Sequence, residues 1–200
     1  MKQIITHLAA AAVLLALSAC GTTTVSTTWK TPDPPKEPFT KIVALVLNAT
    51  PGERRAAEDQ LASMISGNRG VPAYSIVPDE DLKDRQKMRA DFEKHGVDGA
   101  AVLRLVNSET RTRVVSTPDP APGYVGAGIY DRYGAYTLYR TETVTDTYFY
   151  GEFSIYSVAD DRLIWSGETQ TVNPGGIQEL VRDVGQAVKE ELRKQGLLKE

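Results

Sequence analysis

The chain has 200 residues, 41% of them hydrophobic and 24% charged, the profile of one ordinary globular domain with a little chain to spare. A net charge of −3 removes the basic footprint that phosphate-backbone binding needs, so nucleic acid is not an expected partner. One cysteine and two histidines leave no intramolecular disulfide and no zinc ligand set, and no cofactor is expected.

The chain opens MKQIITHLAAAAVLLALSAC. Lys2 and the terminal amine precede an apolar stretch from Ile4 to Leu17, long enough for a secretory core region and too short to span a bilayer. Ser18 and Ala19 then lead into Cys20. Small side chains suit the narrow pockets of a signal peptidase, and the cysteine supplies a nucleophilic thiol. The stretch Leu17-Ser18-Ala19-Cys20-Gly21 resembles a bacterial lipobox. The resemblance implies that residues 1–19 are a lipoprotein signal peptide and that Cys20 is lipidated and becomes the first residue. Several acyl chains hold stably to a bilayer, at about 0.8 kcal/mol per buried methylene. Gly21, where Asp would imply retention at the inner membrane, points to the periplasmic side of the outer membrane. Loss of Lys2 with the signal peptide leaves a net charge of −4.

Residues 20–40 are rich in Thr and Pro, with Pro32, Pro34, Pro35 and Pro38 close together. Proline fixes φ and removes an amide donor, which predicts an extended lipidated tether reaching roughly 60 Å at 3.1 Å per residue. Trp29 within it either packs back onto the domain or rests at the membrane interface. A single periplasmic domain is expected over 41–198.

KIVALVL (41–47) predicts a strand covered on both faces. Thr50-Pro51-Gly52-Glu53 predicts a capping box opening a helix that buries Ala57, Leu61, Met64 and Ile65. AYSIV (73–77) predicts a short strand, and Pro78-Asp79 the start of a charged helix with the thin apolar stripe Leu82, Met88 and Phe92. A strand from Val97 to Val115 turns polar at SETRTR, and residues 116–134 form a loop rich in Tyr, Gly and Pro. A long β segment follows from about Ala135 to Val158, bent at Gly151. Asp160-Asp161 makes the turn, RLIWSGETQTV (162–172) the next strand. Ile177, Leu180, Val181, Val184, Val188 and Leu192 share one face of a closing amphipathic helix that ends at Gly196. The order β-α-β-α-β-β-β-α predicts an α/β (α+β) domain with a mixed sheet and a long protruding β-hairpin.

Nucleophilic catalysis fails on inventory, because the mature chain keeps one histidine, His95, at a helix end that favours a cation. No G-x-S-x-G elbow, P-loop or dinucleotide fingerprint accompanies it, so the chain is not expected to be an enzyme. Asp79, Glu80, Asp81 and Asp84 crowd a helix start, where Asp79 suits the N-cap. They lack the spacing and central glycine of a calcium loop.

Tyrosine stands out. Eight of nine fall within 124–156, and Thr141, Thr143, Thr145 and Thr147 form a stripe along one strand face. Neither face is apolar enough for lipid. Tyr124, Tyr130, Tyr133, Tyr136 and Tyr139 are the candidate interaction surface for a protein or glycan partner. The other reading has them cover the edge of the domain's own core.

The lipobox, Trp29-Lys30-Thr31-Pro32-Asp33, KIVALVL, Gly96-Val97-Asp98-Gly99-Ala100-Ala101-Val102-Leu103, the Tyr/Gly loop and Leu163-Ile164-Trp165-Ser166-Gly167 together resemble a family of Gram-negative bacterial lipoproteins. The element order is also similar to the TolB amino-terminal domain, penicillin-binding-protein activator lipoproteins and the curli secretion channel lipoprotein. The expected function is that of a lipid-anchored, non-enzymatic adaptor or accessory subunit acting through the Tyr-rich hairpin on a periplasmic protein partner, peptidoglycan-associated partners included. A second reading is an oligomeric component of an outer-membrane secretion or assembly complex; an enzyme of unknown type is third.

Overall fold

The computed structural model describes residues 23–119 and 138–198. They belong to two compact units: a body of residues up to 107 and from 149, and a ribbon of residues 108–148. The strands are β1 (Thr23–Lys30), β2 (Ile42–Leu47), β3 (Gly70–Pro72), β4 (Gly99–Asp119), β5 (Leu138–Ser157) and β6 (Arg162–Val172). The helices are α1 (Pro51–Met64), α2 (Arg85–Lys94) and α3 (Ile177–Lys194). The strand order is β1-β6-β5-β4-β2-β3, with β2 parallel to β3 and β4 and β1 antiparallel to β6. This is the mixed α/β architecture that the element order predicts.

The body has an apolar layer on each side of its sheet. Ala44 and Val46 of β2 point to one side, with Leu103, Phe153 and Trp165 beneath α1 and α3. Val43 and Leu45 point to the other, with Phe92, Val97 and Ala100 near α2. Alternating residues of one strand entering two cores explain why β2 reads as an unbroken apolar run. Trp165 is fully buried, lies edge-on to Phe153 at 6.4 Å, and donates its indole N–H to Gln195 Oε1 at 3.1 Å. Leu180, Val181, Val184, Val188 and Leu192 form the buried stripe of α3, as their spacing predicts.

Four local expectations are corrected. The tether does not run extended through 20–40: residues 23–30 pair with β6, and Thr31 N–H bonds Ile164 O at 2.9 Å. Thr23, Thr24, Val25, Thr27 and Thr28 are β-branched and suit an edge strand, which a bulge at Thr27 interrupts. Trp29 sits opposite Ser166 and stays 48% exposed. The strand expected at 73–77 is β3 at Gly70–Pro72 followed by a 3₁₀ turn at Ala73–Ser75. Gly70 passes so close to α1 that a Cβ there would lie 2.2 Å from Ala62 O.

The second helix starts at Arg85, and its cap is Asp84, whose side chain accepts from Gln86 N and Lys87 N, not Asp79. In α1, Met64 and Ile65 are half-buried, whereas Arg54 and Glu58 are buried. At its start the Glu53 carboxylate accepts from both the N–H and the hydroxyl of Thr50, which hold it below the usual carboxylate range.

Asp98 joins the segment before β2 to the start of β4. It accepts from Thr40 N and Thr40 Oγ1 at 2.7 Å and from Lys41 N at 2.9 Å. Burial pushes this carboxyl up, but the Thr40 and Lys41 hydrogen bonds outweigh burial and hold it below its ordinary value.

Candidate functional site

Cys20, Tyr124, Tyr130, Tyr133 and Tyr136 lie outside the described residues, and Tyr139 falls on the backbone of β5. The strands on either side of residues 124–136 in the sequence are described to Asp119 and from Leu138. Thr110 and Thr147 hydroxyls lie 3.4 Å apart, and those of Thr112 and Thr145 3.3 Å apart. Numbers rise on β4 as they fall on β5, so the two strands are antiparallel in one continuous register.

That register sorts the ribbon into two unlike faces. Thr110, Thr112, Val114 and Ser116 share a face with Thr141, Thr143, Thr145 and Thr147, a ladder of hydroxyl and methyl groups. Val114 is 66% exposed on it. The other face is charged. Arg111 forks onto Glu109 at 2.8 and 2.9 Å while its guanidinium stands 4.8 Å from the Tyr148 ring centre. Arg113 reaches Asp146 at 3.3 Å, and Arg140 reaches Glu142 at 3.2 Å. These pairs neutralise one another locally, so the face presents alternating sign rather than a field of one sign.

The pairing of β1 with β6 fixes the first described residues to the body's sheet. Thr23 pairs with Thr171, their hydroxyls 2.6 Å apart, and Thr169 Oγ1 donates to Gly151 O at 3.2 Å. Thr23 and Thr171 therefore form one row at one end of the β1–β6 ladder. Cys20 precedes that row by three residues, about 10 Å of chain at most.

A second polar centre escaped the sequence reading. Glu58 is fully buried and accepts from Tyr74 N at 2.8 Å and Val46 N at 3.3 Å, tying α1 to β2 and to the turn after β3. Burial pushes its carboxyl up, against the pull of those two N–H groups and of Arg54. Arg54 lies 3.7 Å from Glu58 and also pairs with Asp79. Asp79 is thus drawn to the Arg54 and Arg55 guanidiniums rather than to a helix start. Only the i, i+4 spacing of Arg54 and Glu58 hinted at this centre, and such pairs are ordinarily surface features.

His95 caps α2, its Nδ1 2.8 Å from Asp91 O, as a helix end favours. Among the described residues no three His, Cys, Asp or Glu side chains cluster to hold a metal, and no helix is long and apolar enough to cross a membrane.

No family model matches the chain, and no curated protein matches it. Among solved structures it is similar to the PelC dodecamer from Paraburkholderia phytofirmans, at 12% identity over 81% of this chain and 94% of that one, with a TM-score of 0.45. It is also similar to lipoprotein GNA1162 from Neisseria meningitidis, at 12% identity over 78% of this chain and 99% of that one, with a TM-score of 0.39.

Proposed function

We propose that the chain is a lipid-anchored protein of the cell envelope, held at the periplasmic side of the outer membrane through Cys20. It acts as a non-enzymatic adaptor or accessory subunit, and the ribbon of residues 108–148 is its contact surface. The observation that carries this reading is the make-up of the ribbon. Both described faces are polar, and a two-stranded ribbon without an apolar face is marginal alone in water. Among the described residues of this segment none belongs to the apolar core, and such a segment is best explained by what it touches.

The pairing of Thr23 with Thr171 supports the anchoring half of the reading, since it fixes to the sheet the chain three residues after Cys20 in the sequence.

The test is to shorten the ribbon. Glu109 and Tyr148 face each other in the register, so residues 110–147 can be replaced by Asn-Gly, a pair that favours the two-residue hairpin turn. The body should melt within about 3 °C of the parent, the shift that roughly 1 kcal/mol makes at this size. Co-purification of envelope partners with the shortened chain should be lost. Retained partners would overturn the ribbon as contact surface.

The alternative is an oligomeric component of an outer-membrane secretion or assembly complex. One observation favours it: β2 accompanies β4 only along Gly99–Arg104, so among the described residues no third strand follows the ribbon. A sheet that stops there can continue into a second copy. Mass measured in detergent separates the two readings, since a stable ring would defeat the monomeric adaptor.

A further inference from the structure

The body holds an apolar cavity of about 330 Å³ between its sheet and helices α1 and α3. This is the lower end of the 300–1,000 Å³ found for small-ligand sites. Its floor is the sheet, with Ile42, Ala101 and Ile155, and its walls come from α1 and α3. Met64 is the adaptable wall. Gly185 has no side chain to oppose it, and a Cβ at Gly185 would lie 2.6 Å from Met64 Cε and 2.9 Å from Sδ. An unbranched thioether lying on bare helix backbone moves aside at little cost.

Charge at the rim is one-signed. The lining residues include Arg69 and Lys189 and no carboxylate. Arg69 is fixed in place by donating Nε to Ser66 O at 2.9 Å and Nη1 to Phe39 O at 2.8 Å. Lys189 makes no ion pair among the described residues, although Arg182 and Lys194 of the same helix do. An apolar pit with two cations and no anion at its edge is complementary to an amphiphile: a hydrocarbon tail to leave water and one negative head to meet the cations.

We propose that this cavity binds a fatty carboxylate, its chain between α1 and α3 and its head at Arg69 and Lys189. The volume equals that of about eleven waters at roughly 30 Å³ each, which suits a saturated chain of about ten carbons. Longer chains leave their ends at the mouth.

The test uses the full lipidated chain in phosphatidylcholine nanodiscs and a decanoic acid carrying a photoreactive diazirine near its methyl end. Peptide mapping after irradiation should place the label on Met64, Leu61 or Leu192, and excess unlabelled decanoate should displace it. Lys189→Glu, at the rim and away from the core, should cut labelling by the acid about tenfold. The same variant should leave labelling by the matching neutral alcohol unchanged, which also shows that it folds. Label scattered over the surface, label that decanoate does not displace, or equal loss of acid and alcohol labelling in Lys189→Glu would each overturn the proposal.

Discussion

Residues 99–107 and residues 108–119 of β4 are one strand with two different jobs. In the first stretch successive side chains enter two apolar layers, Ala101 and Leu103 on one side and Ala100 and Val102 on the other. In the second, threonine alternates with arginine over residues 110–113, and Thr110, Thr112 and Arg113 meet side chains of β5. Burial stabilises the body at roughly 25 cal/mol per Å² of apolar surface. Cross-strand polar pairs contribute only about 0.2–1 kcal/mol each. The contrast predicts that substitutions should separate the two regions by the size of their effects on stability.

The largest loss is expected at Trp165→Ala, which empties the space beneath α3 and orphans Gln195. A cost of about 3–5 kcal/mol should appear in denaturant unfolding. Gly70→Ala comes next at about 3 kcal/mol, because the new methyl meets a backbone carbonyl of α1 that has nowhere to move. Glu58→Ala should cost a comparable 3 kcal/mol, leaving Arg54 buried with one partner fewer and two N–H groups unmet.

Asp98→Asn tests a smaller, pH-dependent contribution. The hydrogen bonds of Thr40 and Lys41 hold the folded-state pKa below that of the unfolded chain. Such a carboxylate stabilises fully above its unfolded pKa of about 3.9 and loses that contribution as pH falls through the folded value. The variant should therefore be about 1 kcal/mol less stable at pH 7. The gap between variant and parent should hold at neutral pH and shrink as pH falls below the unfolded pKa and through the folded value. A constant gap across the range would contradict the assignment.

Thr112→Ala and Thr145→Ala should move stability least, by under about 0.5 kcal/mol each. A ribbon substitution that unfolded the body would erase the contrast on which this account rests.

Much of the body was legible in the sequence, and for stated reasons. The apolar run of β2, the stripe of α3 and the RLIWSGETQTV strand each carry the period of one element over many residues. β1 was hidden because the prolines from Pro32 onward dominated the reading of residues 20–40, while the β-branched residues of TTVSTTWK passed as linker polarity. Four acids compete to cap α2, and tertiary pairing decides: Arg54 and Arg55 take Asp79, which leaves the cap to Asp84. Glu58 was illegible because nothing local marks a carboxylate whose partners, Val46 and Tyr74, come from other elements. The threonine face was readable at 141–147 from its period of two, and the register now supplies its other half, Thr110 and Thr112.

The most direct test is photo-crosslinking in living cells from single positions in the two regions. A crosslinking amino acid is placed at Thr112 or Thr143 on the ribbon, and at Arg55 on the exposed side of α1 in the body. The account predicts discrete adducts with a defined envelope protein from both ribbon positions and none from Arg55. Adducts of equal yield from all three positions, or from Arg55 alone, would contradict it.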